Sequence, residues 1–383
     1  MYGAGLEGEK FYCRYWDKYD IQYYIDKNSN RTFHGIPVYS LEQIEGQIGD
    51  CYIIVAIGMH IYPQIKDMLE QKGLTEFNDF CQAEFLDREL AILYGNCHMR
   101  VLEKYFRRNP CFMDKYVIRK YLVYMPRDNF PADEELENCG LFISYDIREE
   151  NSFGVPSYER LRHKVKSTCR CVKVPNLLCS FNSFFPQVLG KADDAEILKW
   201  HINENAVRAY DAGIAVKVGW IGYSDANICR LYKEGRTIGE IKDFIENADC
   251  YSRQDIIDKF HAELEKLKKR EQECDIQISD FIEANFQAVQ LFYAPNHPTE
   301  VLLCELGRRI LLFLAFGTEA HMTVEPTIDY DEVFIYGCVK RALGLRFEQK
   351  YIRKGSEYLT VRNKPLKLEE YIEDFIAWAL VEA

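Results

Sequence analysis

Residues 89–108 of this 383-residue chain read ELAILYGNCHMRVLEKYFRR, and this stretch predicts the centre of the fold. Residues 90–94 are an apolar run of strand length, and residues 99–108 have the apolar spacing of a helix. The sequence GNCH at 95–98 forms a tight polar turn between them. A strand that feeds a helix through such a turn directs backbone N–H groups, and the positive end of the helix, at whatever lies above it.

The turn carries a cysteine in a position that suits nucleophilic chemistry. The end of the helix would stabilise a thiolate at Cys97, and the same N–H groups could hold a developing oxyanion. A cysteine in such a turn can equally be a residue that only packs. Of its neighbours, Asn96 is a candidate oxyanion donor, whereas His98 is a candidate base or an orienting residue.

Four motifs resemble those of the WcbI-like polysaccharide biosynthesis family, and they occur in the family's order. After GNCH at 95–98 come CGLFISYDI at 139–147, CVKVPNLLCSFNSFFP at 171–186 and LFYAPNHPT at 291–299. The family is linked to coenzyme A-dependent acetyl transfer in capsule synthesis. The resemblance therefore implies an acyltransferase that carries the acyl group of acetyl-coenzyme A to a sugar or a nucleotide-sugar in capsular or surface polysaccharide biosynthesis.

The resemblance also favours a general base in the last motif. His297 lies in a loop bracketed by two prolines, which hold the backbone out of a helix. It would deprotonate either the sugar hydroxyl or Cys97, and the sequence leaves direct and two-step transfer open. A histidine there can equally satisfy a nearby carbonyl. The residue that orients His297 is not identified, and Asp280 and Glu300 are the candidates.

Cationic and polar side chains near the turn are candidates for holding coenzyme A, because its phosphates need cations. Cations spaced four residues apart on the helix after the turn can equally form a solvated face. The predicted cofactor-binding residues of this region are Gly95, Arg100, Lys104, Arg148, Asn176 and Asn296, with Arg107 and Arg108 as further cations.

The N-terminal residues carry a second glycine motif, GAGLEG at 3–8. Gly3, Gly5 and Gly8 have the spacing of a dinucleotide fingerprint, and Asp26 ends a strand 18 residues after Gly8. The region resembles the N-terminal nucleotide-sugar-binding part of bacterial sugar acyltransferases, which implies a UDP-sugar as ligand. The strand that should precede Gly3 is reduced to two residues. The module could therefore instead have lost its ligand and be retained for packing or dimerisation.

These patterns predict an α/β fold in two domains. Residues 1–86 form a truncated Rossmann-like βαβαβ module, and residues 87–383 form a WcbI-like catalytic domain whose C-terminal half is largely helical. The catalytic domain would contain a small parallel sheet with strands at 90–94, 141–144 and 171–174. The turns that follow these strands would meet at its carboxyl edge, an arrangement reminiscent of SGNH hydrolases.

Composition narrows the class of protein. The net charge of −12 argues against a nucleic-acid-binding surface, although a local basic patch can still hold an anionic cofactor. None of the 14 cysteines has the spacing of a zinc site, so no metal is expected. The cysteines are expected to be reduced thiols in a cytoplasmic protein. The longest apolar run, 310–316, is too short to span a bilayer. A homo-oligomer is compatible with the sequence.

Three other functions fit part of the pattern. An SGNH-like carbohydrate esterase would remove an acyl group with water as the acceptor. A scaffold of polysaccharide assembly would bind a nucleotide or coenzyme A without turnover. A nicotinamide-dependent oxidoreductase would depend on the glycines at 3–8 alone, since nothing downstream resembles a hydride-transfer site.

Overall fold

The computed structural model describes residues 1–49, 51–58, 60–123, 130–151, 154–177, 180–188, 225–295, 297–317, 332–350, 352 and 366–379. The chain forms two compact units, one of residues 1–99 and 106–172, the other of residues 100–105 and 173–383. Helices and small sheets with parallel pairs confirm the predicted α/β class. The helix expected within 195–210 lies outside the described residues.

The N-terminal module has a Rossmann-like strand order. Strands β1 and β3 pair in parallel, as do β4 and β5, and Tyr2 bridges the two pairs in parallel, to Ile25 on one side and Val55 on the other. The Tyr2 N–H donates to the Ile54 carbonyl, and its carbonyl accepts from the Ala56 N–H, both at 2.8 Å. One residue therefore takes the place of the first strand. The elements are α1 (Leu6–Tyr15), β1 (Tyr24–Ile25), β2 (Arg31–Phe33), β3 (Ile36–Tyr39), β4 (Ile53–Val55), α2 (Tyr62–Glu70) and β5 (Phe80–Gln82).

A four-stranded sheet follows, in the order β7-β6-β8-β9, and β6 pairs in parallel with both β7 and β8. All of β8, and all of β6 except Glu89, is buried, which explains why both strands read as unbroken apolar runs. Strand β7 was not predicted. The elements are β6 (Glu89–Gly95), α3 (His98–Phe106), α4 (Pro110–Lys115), β7 (Tyr116–Leu122), α5 (Asp133–Asn138), β8 (Cys139–Tyr145), α6 (Tyr158–Arg162) and β9 (Arg170–Val174).

The second unit is mostly helical, as predicted. A capping box forms at α8 (Ile238–Asn247), where Thr237 Oγ1 accepts from the Glu240 N–H at 3.3 Å and Glu240 Oε2 accepts from the Thr237 N–H at 2.8 Å. The region around His297, predicted as a loop between helices, is a two-stranded hairpin instead. The elements are α7 (Ala226–Lys233), α8 (Ile238–Asn247), α9 (Arg253–Glu271), α10 (Ser279–Asn285), β10 (Phe292–Ala294), β11 (His297–Pro298), α11 (Glu300–Phe313), α12 (Gly337–Leu343) and α13 (Leu368–Ala379).

A buried ionic cluster ties the N-terminal module to the four-stranded sheet. Arg119 of β7 donates to Glu76 at 2.8 Å and to Glu135 of α5 at 2.5 Å, and Lys66 of α2 donates to Glu76 at 2.7 Å. Glu76 and Glu135 are only 2% and 3% exposed. Burial acts to raise the pKa of Glu76, but the hydrogen bonds and charges of Arg119 and Lys66 outweigh it and lower that pKa to about 2.

Replacing Glu76 by glutamine tests this cluster. We expect Glu76→Gln to lower the free energy of unfolding by about 3 kcal/mol at neutral pH, because it leaves the Arg119 guanidinium buried with one carboxylate fewer. The ionised wild-type side chain contributes its stabilisation above its ordinary pKa of 4.5 and loses it as the pH falls towards 2. The difference in the free energy of unfolding between the variant and the wild type should therefore become smaller below pH 4.5.

Urea denaturation at about pH 7 and about pH 3.5 measures both effects. The matched control is Glu70→Gln, because Glu70 also pairs with Lys66, at 3.6 Å, but its side chain is 43% exposed. That change should lower the free energy of unfolding by less than about 0.5 kcal/mol. Equal losses in the two variants would show that the buried cluster is not a principal stabilising contact.

Candidate functional site at the Cys97 turn

The GNCH turn joins β6 to α3 as the sequence predicted. Asn96 Oδ1 accepts a hydrogen bond from the His98 N–H at 3.0 Å, which caps the first turn of the helix. Asn96 and His98 are buried, whereas Cys97 between them is partly exposed. Cys97 immediately precedes the first helical residue, so its side chain stands at the positive end of the helix. Its position fits a thiolate.

A tyrosine from the neighbouring strand covers the start of this turn. Tyr145 is the last residue of β8 and is fully buried. A Cβ atom built on Gly95 would lie 2.4 Å from Tyr145 Cδ2 and 2.9 Å from Met99 Cε. The ring of His98 meets the ring of Tyr145 edge-on, with the centroids 5.7 Å apart. Gly95 is therefore required by the close approach of an aromatic ring.

The hydroxyl of Tyr145 differs from an ordinary buried hydroxyl. It has no hydrogen-bond partner within the described ranges of the chain. Burial raises the pKa of Tyr145 well above its usual value, and the negative charge of a Cys97 thiolate raises it further. Tyr145 is thus neutral at any physiological pH.

The turn after β8 lies at the same edge of the sheet, because β6 and β8 are parallel neighbours. Asp146 follows Tyr145, and its side chain is 9% exposed. Arg148 is exposed, and its Nε lies 3.9 Å from Asp146 Oδ2. On α3, Arg100 is partly buried and Lys104 is exposed. The predicted cations are therefore at least partly open to an anionic ligand.

In the second unit, His297 is partly buried and pairs with Ala294 across the β10–β11 hairpin. Both candidates for orienting it accept hydrogen bonds in the structure. Asp280 receives two hydrogen bonds from Arg309, at 2.6 and 2.9 Å, and Glu300 accepts one from the Tyr293 hydroxyl at 2.7 Å. Asn176 follows β9 and is partly buried, and Asn296 lies outside the described residues.

A family model described as polysaccharide biosynthesis enzyme WcbI matches residues 90–319. The chain belongs to the WcbI family. A solved structure described as WcbI, a novel polysaccharide biosynthesis enzyme, has a TM-score of 0.55 to this chain at 18% identity. The match covers 76% of this chain and 89% of that one, and the likeness shows a shared fold. The description of that structure refers to a native protein without a disulfide bond between coenzyme A and a cysteine. No curated protein matches the chain.

The glycine motif of this WcbI-family protein is explained largely by packing. A Cβ atom on Gly3 would lie 2.4 Å from the Ala56 carbonyl oxygen, and one on Gly8 would lie 2.3 Å from the Gly3 carbonyl oxygen. Gly5, in contrast, has open space beside it. Asp26, predicted to bind ribose hydroxyls, accepts from the N–H groups of Ala4 and Asn28, both at 2.9 Å. Its carboxylate therefore braces the glycine loop in this structure.

Among the described residues, no group of three or more His, Cys, Asp and Glu side chains could hold a metal ion. No helix in that part of the chain is long and apolar enough to cross a membrane.

Tyr145 is the residue at the WcbI-family turn that sequence reasoning missed. The sequence singled out the CGLFISYDI motif for its strand and for the turn that follows it, and gave its tyrosine no role. The sequence feature that could have identified Tyr145 is a glycine at the end of one strand and an aromatic residue at the end of the neighbouring strand. Tyr94 lies opposite Ser144, so Gly95 and Tyr145 come next on adjacent strands.

Gly95→Ala tests the contact between Gly95 and Tyr145. The added methyl group would overlap the Tyr145 ring, so we expect a loss of about 1–3 kcal/mol in the free energy of unfolding. Gly46→Ala is the control, because a Cβ atom there meets nothing within 4 Å. Its effect should stay within about 0.5 kcal/mol in the same urea titration. A Gly95→Ala variant as stable as the control would contradict the contact.

Proposed function

We propose that the chain is a coenzyme A-dependent acyltransferase that moves an acyl group, most simply acetyl, to a hydroxyl of a carbohydrate or nucleotide-sugar during surface polysaccharide biosynthesis. The observation that carries the proposal is Cys97, partly exposed at the start of α3 in a turn whose Gly95 packs against the Tyr145 ring. Membership of the WcbI family supports the polysaccharide pathway. The naming of coenzyme A with a cysteine in the description of the related WcbI structure supports the cofactor.

The residues of the turn fit the thioester end of such a donor. Acetyl-coenzyme A would supply an activated acyl group. The helix end favours the thiolate of Cys97, and backbone N–H groups of the turn, with the side chains of Asn96 and Asn176, are the proposed donors to a developing oxyanion. Arg100, Lys104 and Arg148 are proposed to hold the phosphates, since an exposed or partly buried cation can reach an anionic group.

We assign the general base to His297 within the same proposal. One of its ring nitrogens would take the proton either from the acceptor hydroxyl or from the Cys97 thiol. The first case gives direct transfer, and the second gives an acyl group carried on Cys97 before the acceptor receives it. His98 is fully buried against Tyr145, which suits a role in orienting the turn.

The proposal divides the chain at residue 86. Residues 87–383 would carry the transfer, and residues 1–86 would present a nucleotide-sugar. The open side of Gly5 leaves room for a phosphate near the backbone, whereas Asp26 is already engaged with the loop. A nucleotide-sugar in this module therefore stays a prediction, as do the cytoplasmic location and a homo-oligomer.

The first test is binding of coenzyme A and acetyl-coenzyme A by calorimetry. We expect micromolar affinity for the wild type and a changed affinity for Cys97→Ala. Cys111→Ala is the matched control, because Cys111 is exposed on α4; it should bind as the wild type does. Absence of binding by the wild type would overturn the acyltransferase proposal, and an esterase or a scaffold would then be the better reading.

A covalent test locates the thiol end of the cofactor. Incubation with the disulfide of coenzyme A should join Cys97 to coenzyme A in a mixed disulfide and release the other half as a thiolate. Peptide mass spectrometry should find the adduct at Cys97 first, and Cys97→Ala should lose that fast reaction while Cys111→Ala keeps it. Equal, slow labelling of the exposed cysteines would contradict a coenzyme A site at the turn.

His297→Gln tests the general base. We expect transfer from acetyl-coenzyme A to a panel of monosaccharides and nucleotide-sugars to fall by about 10²–10⁴-fold, with coenzyme A affinity within about two-fold of the wild type. The control is His261→Gln, an exposed position on α9. Transfer by His297→Gln at the rate of the control would remove this residue from the mechanism.

A further inference from the structure

Two cysteines of the second unit lie with their sulfur atoms in contact. The Sγ atoms of Cys250 and Cys338 are 3.7 Å apart, although the two residues are 88 positions apart in the chain. Cys250 lies in the connection between α8 and α9, and Cys338 is the second residue of α12. The sulfur of Cys139, in contrast, donates to the Leu141 carbonyl at 3.0 Å. The contact between Cys250 and Cys338 is one between two thiols.

A disulfide bond between these two sulfurs needs only a small movement. Bonded sulfur atoms are about 2.0 Å apart, so the present separation of 3.7 Å has to close by about 1.7 Å. The two side chains share this movement, and each sulfur travels less than about 1 Å. The fold therefore holds the two cysteines near the geometry of a disulfide.

The backbone around the pair is already fixed without such a bond. A Cβ atom on Gly337 would lie 1.7 Å from the Glu246 carbonyl oxygen, so the start of α12 lies directly against the end of α8. Arg341 of α12 donates to the Glu246 and Asn247 carbonyls, both at 3.1 Å, and to Asp249 Oδ1 at 2.6 Å. These contacts place the two cysteines opposite each other, so the helices need not move for the sulfurs to join.

The residues next to the pair are held as well. The Tyr336 hydroxyl donates to Asp225 at 2.9 Å, and Asp225 caps the start of α7. The ring of Tyr251, the residue after Cys250, lies 6.2 Å from the ring of Tyr336 between centroids. The two chain segments that carry the cysteines therefore run side by side at this point.

The two thiols differ in their access to solvent. Cys250 is partly exposed, whereas Cys338 is only 4% exposed. A small oxidant therefore meets Cys250 first. Burial and the neighbouring Cys338 raise the pKa of Cys250 to about 12, so the thiol is almost entirely protonated at neutral pH and reacts slowly. Sustained exposure to an oxidant is needed to convert the pair.

We propose that Cys250 and Cys338 form a reversible disulfide when the protein is exposed to a small-molecule disulfide, and that this bond locks α12 to the connection between α8 and α9. The pair is a modification site in the second unit. It goes beyond the proposed acyl transfer and does not depend on it.

The reaction proceeds by two exchanges. The thiolate of Cys250 attacks one sulfur of the small disulfide, whose sulfur–sulfur bond breaks and releases one small thiolate. The thiolate of Cys338 then attacks the Cys250 sulfur of this mixed disulfide and releases the second small thiolate. The two cysteines lose two electrons, which reduce the small disulfide, and the two protons of the cysteines pass to the released thiolates.

The bond should stabilise the second unit. It closes a long loop, because the cysteines are 88 positions apart, and a closed loop lowers the entropy of the unfolded chain. Strain in the folded chain should be small, because the surrounding contacts already hold the two sulfurs together. We therefore expect a higher thermal midpoint for the oxidised protein.

The test is incubation of the full chain with oxidised glutathione at about pH 8.5, followed by peptide mass spectrometry without reduction. We expect a peptide pair joined through Cys250 and Cys338. The thermal midpoint should rise by about 4 °C or more relative to the protein treated with dithiothreitol, after subtraction of the change that the same treatment causes in Cys250→Ser. Dithiothreitol added after oxidation should reverse both effects.

Three variants identify the partners. Cys250→Ser should form no bond to Cys338, and Cys338→Ala should keep glutathione attached to Cys250, because the second exchange is missing. The matched control is Cys274→Ser, which removes another partly exposed thiol of the same unit and should form the bond as the wild type does.

Two results would contradict the inference. One is glutathione on exposed cysteines, or a bond between other cysteines, without any bond between Cys250 and Cys338. The other is a bond between them that leaves the corrected midpoint unchanged or lowers it, because the joined sulfurs would then not fit the native packing. Neither result bears on the proposed acyl transfer, which the binding of coenzyme A tests separately.

Discussion

The contact between the Tyr145 ring and the backbone of Gly95 is the constraint on which the candidate site depends. Any side chain at Gly95 would enter the ring, so the presence of Tyr145 on one strand requires glycine at the end of the other. The contact fixes the turn that holds Cys97 against the turn that begins with Asp146. Because β6 and β8 are also paired in parallel, the position of Cys97 follows from the sheet itself.

Two kinds of buried polar group in the same unit follow opposite rules. The cluster of Glu76, Arg119 and Glu135 is buried because each charge has partners, and its ion pairs offset the loss of hydration. Tyr145 is neutral, and its hydroxyl has no partner among the described residues, so burying that hydroxyl costs free energy that no hydrogen bond returns. The first pattern is what a structural contact between two parts of a fold requires.

Local patterns predicted β6, the turn and α3, because each has its own signal: an apolar run, small polar residues and helical spacing. Strand β7 was missed because Arg119 and Lys120 interrupt its apolar pattern. The partner that makes Arg119 acceptable in a strand is Glu76, 43 residues earlier, and no local window contains both. The hairpin at His297 was read as a loop for a related reason, since a strand of two residues is too short to show a period. The place of Tyr145 beside Gly95 emerged only from strand register.

The glycine motif at 3–8 can be explained in large part without a bound ligand. Two of its three glycines are required by carbonyl groups of the protein itself, so Gly3 and Gly8 would be selected even in a module that bound nothing. Asp26 has the expected place at the end of a strand, but it accepts from the backbone of the glycine loop, which also needs no ligand. Only Gly5 has open space beside it, so packing does not explain why this position is glycine. Only one position of the motif therefore supports a phosphate-binding loop, whereas Gly3 and Gly8 are explained by packing within the Rossmann-like module.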